Sequence, residues 1–213
     1  MRTPNRDRRR PAVPALCAAL VILLALTAIP AGALSAEYRV FANGTAYNAT
    51  IAITDTDRYT FADVGYMGED VPLAVGDVTL VSEGVPVAFN WTKPWGAPAS
   101  ISFEKGNYTV FFNAPLKDHN LKAVYKKPYN VTVELPMELR VDNLLLAGIS
   151  SGANVTRHTD NTTTITWTNT PAFDLRFYSQ AQEQLLFFFL QFMAILTFVL
   201  VVIPYVVSRR QDG

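Results

Sequence analysis

The sequence holds a single cysteine, Cys17, inside an apolar run near its start. Everything downstream lacks a thiol, so no disulfide can staple the folded region and its stability has to come from burial. Two small independent units are therefore unfavourable unless they pack on each other. Leu16 is not a small residue and the apolar run continues past Cys17, which argues against a lipid-attachment site there. Histidine is almost as scarce. His119 and His158 stand apart from each other and from any thiol, so no zinc site is expected. No serine lies in a Gly-x-Ser-x-Gly turn; Ser150 and Ser151 sit beside Gly148 and Gly152 in a loop-like stretch. Asp55, Asp57, Glu69 and Asp70 lack the spaced ligands and closing Glu of a calcium loop and read as turn formers. A basic excess is missing too. Residues 37–184 carry eleven basic and sixteen acidic side chains, which offers no stripe for a phosphate backbone and argues against nucleic acid as a partner. No catalytic residue, cofactor or metal is expected, and the chain is not read as an enzyme. An envelope hydrolase stays as a remote alternative that would need two carboxylates facing each other across a pocket.

What the chain does have is two long apolar runs. Arg2, Arg6, Arg8, Arg9 and Arg10 precede an apolar stretch from Ala12 to Ile29, broken by Pro30 and Gly32 and followed by the small-residue patterns Ala31-Gly32-Ala33 and Ala33-Leu34-Ser35. Residues 1–35 thus read as a signal peptide, or as a signal anchor if uncleaved. From Leu185 to Val207 the chain carries no charge for 23 residues, about 35 Å as a helix against a hydrocarbon layer of roughly 30 Å. Seventeen of those residues are Leu, Ile, Val or Phe, so insertion outweighs the penalties of Gln191 and Pro204. Ser179-Gln180-Ala181-Gln182 has the form of a capping box, which predicts a helix that starts just outside the bilayer and runs straight in. Residues 179–207 form this juxtamembrane and membrane segment, and Arg209 and Arg210 would stop transfer and leave 208–213 as a short cytoplasmic tail.

Seven Asn-x-Thr sites, at Asn43, Asn48, Asn90, Asn107, Asn130, Asn154 and Asn161, all lie between the two apolar runs, where chance would give roughly two. Glycan acceptors are useful only outside the cytoplasm, so the middle of the chain is assigned to the exterior. That middle alternates apolar and polar residues with no sustained helical repeat, and reads as all-β. Among the segments read as strands are 47–53 and 58–62, 100–104 and 108–113, 121–125 and 129–135, and 163–168 and 173–178. In a strand the Asn and Thr of a glycan site share one face, so Ala49, Trp91, Tyr108, Val131 and Val155 are expected to face the core. Two prolines and a glycine in residues 92–98 suggest a linker between an N-terminal β unit (37–92) and a C-terminal sandwich unit (99–178), with one continuous sandwich left open. The expected fold is an immunoglobulin-like β-sandwich ectodomain, one or two packed units, with a C-terminal transmembrane helix.

Three features are contact candidates. Trp91 and Trp95 flank Pro94 and could form an aromatic platform, or pack in the core. Leu144-Leu145-Leu146 reads either as an exposed patch or as a short buried strand. Gln191, Ala194 and Thr197 recur at three-residue spacing on the membrane helix, a small and polar stripe of the kind that joins helices.

Residues 128–136 (PYNVTVELP), 140–145 (RVDNLL), Ile165-Thr166-Trp167 and Leu175-Arg176-Phe177-Tyr178 before a membrane helix resemble an uncharacterised archaeal family of membrane-anchored surface proteins, a domain of unknown function from haloarchaea and methanogens. The resemblance covers the chain from Phe103 onward. It implies location and architecture but no activity and no functional residues, and the mild acidity points to a methanogen-like source. The reading that results is a single-pass cell-membrane protein, two-pass if the N-terminal segment is retained, with its ectodomain outside and its C-terminus in the cytoplasm. It would act by contact in the envelope, with membrane lipid and an envelope or membrane protein as partners. The alternative is a ligand-binding accessory or sensor ectodomain, which a cleft lined by the two tryptophans would favour.

Overall fold

Thirteen strands and one long helix account for most of residues 34–65 and 67–205, which are the residues described by the structure, a computed structural model. Residues 1–33 of the 1–35 segment read as a signal, and the pair Arg209 and Arg210 read as stopping transfer, lie outside them. In chain order the strands are β1 (Ser35–Val40), β2 (Ala46–Val64), β3 (Asp70–Pro72), β4 (Gly76–Ser82), β5 (Val85–Val87), β6 (Asn90–Thr92) and β7 (Ala99–Pro115). They continue with β8 (Asn120–Leu135), β9 (Leu139–Arg140), β10 (Gly148–Ile149), β11 (Ala153–Arg157), β12 (Thr163–Arg176) and β13 (Tyr178–Ser179), before α1 (Gln180–Thr197). The protein is mostly β-sheet with a C-terminal apolar helix.

Eleven of the strands form one sheet, with the order β10-β12-β8-β1-β2-β7-β4-β5 and with β11, β3 and β6 added to β12, β2 and β7. The pairs are antiparallel, some of them hairpins and others such as β2–β7 and β8–β12 between strands distant in sequence, except that β1 lies parallel to β8, with Tyr38 opposite Val133 and Arg39 opposite Glu134. β1 alternates strictly: Ala36, Tyr38 and Val40 are buried while Glu37 and Arg39 face solvent. This two-residue period puts one face on the core and leaves the other wet.

Four long strands build the core by folding back on themselves. Phe112 is the register partner of Ala49, twelve residues before Phe61, a separation of about 40 Å along a straight strand. Yet the Phe61 and Phe112 rings are 5.2 Å apart. On the other side Trp167 and Phe173, about 20 Å apart along a straight strand, have ring centroids separated by 5.0 Å. The bends are register shifts, between Ile53 and Arg58 on β2 and between Trp167 and Ala172 on β12. Asp55 and Asn169 sit there with φ of 54° and 53°, a conformation that short polar side chains tolerate best. The strand pairs anticipated as 47–53 with 58–62, 100–104 with 108–113, 121–125 with 129–135 and 163–168 with 173–178 are therefore four continuous strands, each bent where a break was expected.

The stretch read as a linker is instead the turn of a hairpin: Thr92 pairs with Ser100, Trp91 with Ile101 and Asn90 with Ser102. Proline and glycine here make a tight reversal rather than a domain boundary. One compact unit takes in the described residues from Leu34 onward.

Aromatic rings fill the space between the folded halves. Tyr38 lies 5.7 Å from Tyr47 and 5.4 Å from Phe173, and Tyr125 stacks on Tyr129 at 4.4 Å. Such pairs add about 0.5–1.5 kcal/mol each beyond their burial. The ion pairs Arg39–Glu134 and Lys105–Asp55 lie on the surface, where the median pair is worth about 0–1 kcal/mol. Stability without disulfides thus rests on the buried interior, where these rings pack among Ala, Val, Ile and Leu side chains such as Ile101, Val110, Val133 and Leu175.

Candidate functional site

The junction between sheet and helix is where the chain concentrates its unusual features. After β12 the chain passes through buried Phe177 and Tyr178 and enters α1 directly from β13. The Phe177 amide donates to the His119 carbonyl at 3.1 Å, and β13 pairs with β9, Tyr178 opposite Arg140 and Ser179 opposite Leu139. The anticipated capping box is formed. The Ser179 amide donates to Gln182 Oε1 at 2.8 Å, and the Ser179 hydroxyl accepts from the Gln182 amide. Two N–H groups that a helix start leaves unpaired are satisfied in this way. One turn further on, Arg140 Nη1 lies 3.3 Å from Glu183 Oε2. Burial, and then the Glu183 carboxylate, push the Tyr178 phenol above its ordinary pKa. The start of the helix is held to β9, through the separate two-stranded ladder β13–β9 and an ion pair, and its first turn is closed by the cap.

From Gln180 to Tyr205 the helix is long and apolar enough to cross a membrane, and none of its residues is buried. Gln191, Ala194 and Thr197 are exposed on it. The Thr197 hydroxyl donates to the Met193 carbonyl at 2.9 Å, turning back onto its own helix. A single π turn, Phe198–Val202, follows immediately. Nothing in the sequence pattern flagged that turn, because its residues are uniformly apolar.

Six of the seven sequon asparagines are exposed and Asn130 is half-buried. The side-chain oxygens of Asn43, Asn107 and Asn130 accept from the amides of Thr45, Asp55 and Asn169 at 3.1, 3.1 and 2.9 Å. This orients the amide nitrogen, the atom that would carry a glycan. Ala49 and Val131 are buried as expected and Tyr108 is half-buried, but Trp91 and Val155 are 43% and 45% exposed. β6 and β11 each pair with one neighbour only, so both residues lie on strands with an open edge. Asn48 lies in a shallow depression of about 340 Å³ on the outer face, among Glu37, Arg39, Glu134, Asp77 and Asn113.

The remaining candidates are dispersed. Trp91 stacks on Phe61 at 5.5 Å whereas Trp95 stands fully exposed in the hairpin turn, so the two indoles have separate environments. Asp55 pairs with Lys105 at 3.0 Å, and Glu69 caps the Met67 amide at 2.8 Å. His119 packs on Phe177 at 5.6 Å, and His158 is hydrogen-bonded to Thr164 at 2.8 Å. The Ser150 hydroxyl accepts from the Asp174 amide at 3.1 Å. Leu144 and Leu145 are exposed and Leu146 half-buried, so the buried-strand reading of this run gives way to a turn. Asn143 forms that turn by accepting the Leu146 and Ala147 amides on its carbonyl and the Leu145 amide on its side chain.

The chain belongs to a family of unknown function, DUF5803, whose model matches residues 96–211. No curated protein matches the sequence. The match begins in the β6–β7 turn and takes in everything from β7 through α1, so the junction lies wholly within it. β1 to β6 precede it, although β1, β2, β4 and β6 hydrogen-bond into the same sheet.

Proposed function

We propose that this protein is a membrane-anchored component of the archaeal cell envelope, with a glycosylated β-sandwich ectodomain of immunoglobulin-like type outside the cell and its C-terminus in the cytoplasm. It acts by contact with neighbouring envelope or membrane proteins rather than by catalysis. The observation that carries this reading is a 26-residue, largely apolar helix none of whose residues is buried, capped at its start and ion-paired to Arg140 on β9. A helix apolar all round is stable only inside a large core or in lipid, and among the described residues no core surrounds it. The exposure of six sequon asparagines supports an exported location, and the folded-over sheet supports the sandwich reading. In a cell, glycans on Asn48 and its neighbours would cover much of the outer face and leave the strand tips and the helix for partners. Alkaline carbonate washing of membranes should leave the chain in the pellet, and mass spectrometry of the exported form should find sugar on these asparagines. A carbonate-soluble chain with bare asparagines would overturn the proposal.

A further inference from the structure

The turn at Leu144 and Leu145 presents apolar side chains to solvent at 92% and 70% exposure, among the largest such values in the folded domain. It is a braced turn rather than a slack loop. Val141 and Ala147 are buried on either side of it, Leu146 packs against the core, and Asn143 closes it with three hydrogen bonds. Its position relative to the helix is set by neighbours. Arg140, three residues before Asn143, pairs with Glu183, and the Tyr178 hydroxyl meets the Asn143 backbone. Glu183 is two residues before Leu185, an axial rise of about 3 Å, so the Arg140 contact that precedes the turn falls close to where the helix changes from polar to apolar. Met137, 60% exposed in the Pro136–Leu139 turn that leads into β9, adds a third apolar side chain beside the same junction.

An exposed pair of leucines held rigidly at the head of a membrane helix has one natural solvent. We infer that the Leu144–Leu145 turn, with Met137, is a second membrane contact that enters the boundary between lipid headgroups and acyl chains beside α1. This rests on the reading of α1 as a membrane span and goes beyond it. The occupant of the patch is the lipid surface itself, because β9, which lies between Met137 and the turn, is tied to the start of the apolar helix by the β13 pairing and the Arg140–Glu183 ion pair. Apolar groups at that depth add to membrane affinity in proportion to the area they bury. Two points of attachment would fix the tilt of the sheet domain, which a lone helix leaves free to pivot.

The test uses the full chain with Cys17→Ser, reconstituted in phosphatidylcholine vesicles, with an environment-sensitive fluorophore on a single introduced cysteine. The positions are Leu144→Cys, Leu190→Cys on the helix, and Val85→Cys on the β4–β5 hairpin, all exposed and so tolerant of a label. With nitroxide placed high on the acyl chains, the label at 144 should be quenched several-fold more than that at 85, with a blue-shifted emission. Quenching at 190 but not at 144 would overturn the membrane-contact inference alone. Absence of quenching at both 190 and 144 would overturn the membrane span and this inference together.

Discussion

The hydroxyls of Tyr38 and Tyr125 meet at 2.8 Å across 87 residues of sequence, inside the space enclosed by the folded sheet. β1 contributes the first and the bent strand β8 the second, so this bond reports whether the fold has closed. Tyr125→Phe should leave the buried Tyr38 hydroxyl without its partner, at a cost of about 1–3 kcal/mol. The double variant Tyr38→Phe/Tyr125→Phe should lose less than the sum of the two singles. Denaturant unfolding of the detergent-solubilised chain measures both.

Burial raises the phenol pKa of Tyr38, Tyr47, Tyr59, Tyr125 and Tyr129 above its ordinary value. A raised folded-state value means that the unfolded chain gives up protons first as pH increases. The stability these groups supply is therefore complete below about pH 10 and is lost as the pH climbs beyond it. Thermal midpoints should be level through neutral pH and fall steeply above pH 10. Tyrosinate absorbance from the buried set should appear together with unfolding, not before it.

Gly44 has φ of +67°, and a Cβ there would lie 2.7 Å from the His119 ring. Gly44→Ala adds a left-handed penalty of about 1–2 kcal/mol to that collision. A loss of stability of at least that size is expected in thermal melts, with the Asn-x-Thr sequence at Asn43 retained.

Ser179→Ala removes the hydroxyl that accepts the Gln182 amide. The cost should be about 0.5–2 kcal/mol, localised at the start of α1. Hydrogen exchange should show faster exchange of the amides of residues 181–183 while the amides of β2 and β7 keep their protection.

The helix and its cap were legible because both are local. Twenty-three uncharged residues and an S-x-x-Q spacing need no knowledge of the rest of the chain. Two-residue alternation revealed the strands equally well, and β1 follows it residue by residue. Strand continuity was not legible. Asp55 to Asp57, Lys126 to Pro128 and Asn169 to Pro171 carry the chemistry of turns, and in this fold the same chemistry bends a strand without ending it. Trp91 and Val155 mark another limit: alternation tells which residues share a face, but not whether a second layer covers it. The exposure of Leu144 and Leu145 depended on Asn143 closing a turn, which three consecutive leucines do not disclose.

Protease added to sealed cells, with the chain tagged at its C-terminus, tests membrane anchoring and orientation most directly. The expected result is loss of the sheet domain and survival of a small tagged fragment containing residues 185–205. A sheet domain that resists in sealed cells and is degraded only after lysis would contradict an external location.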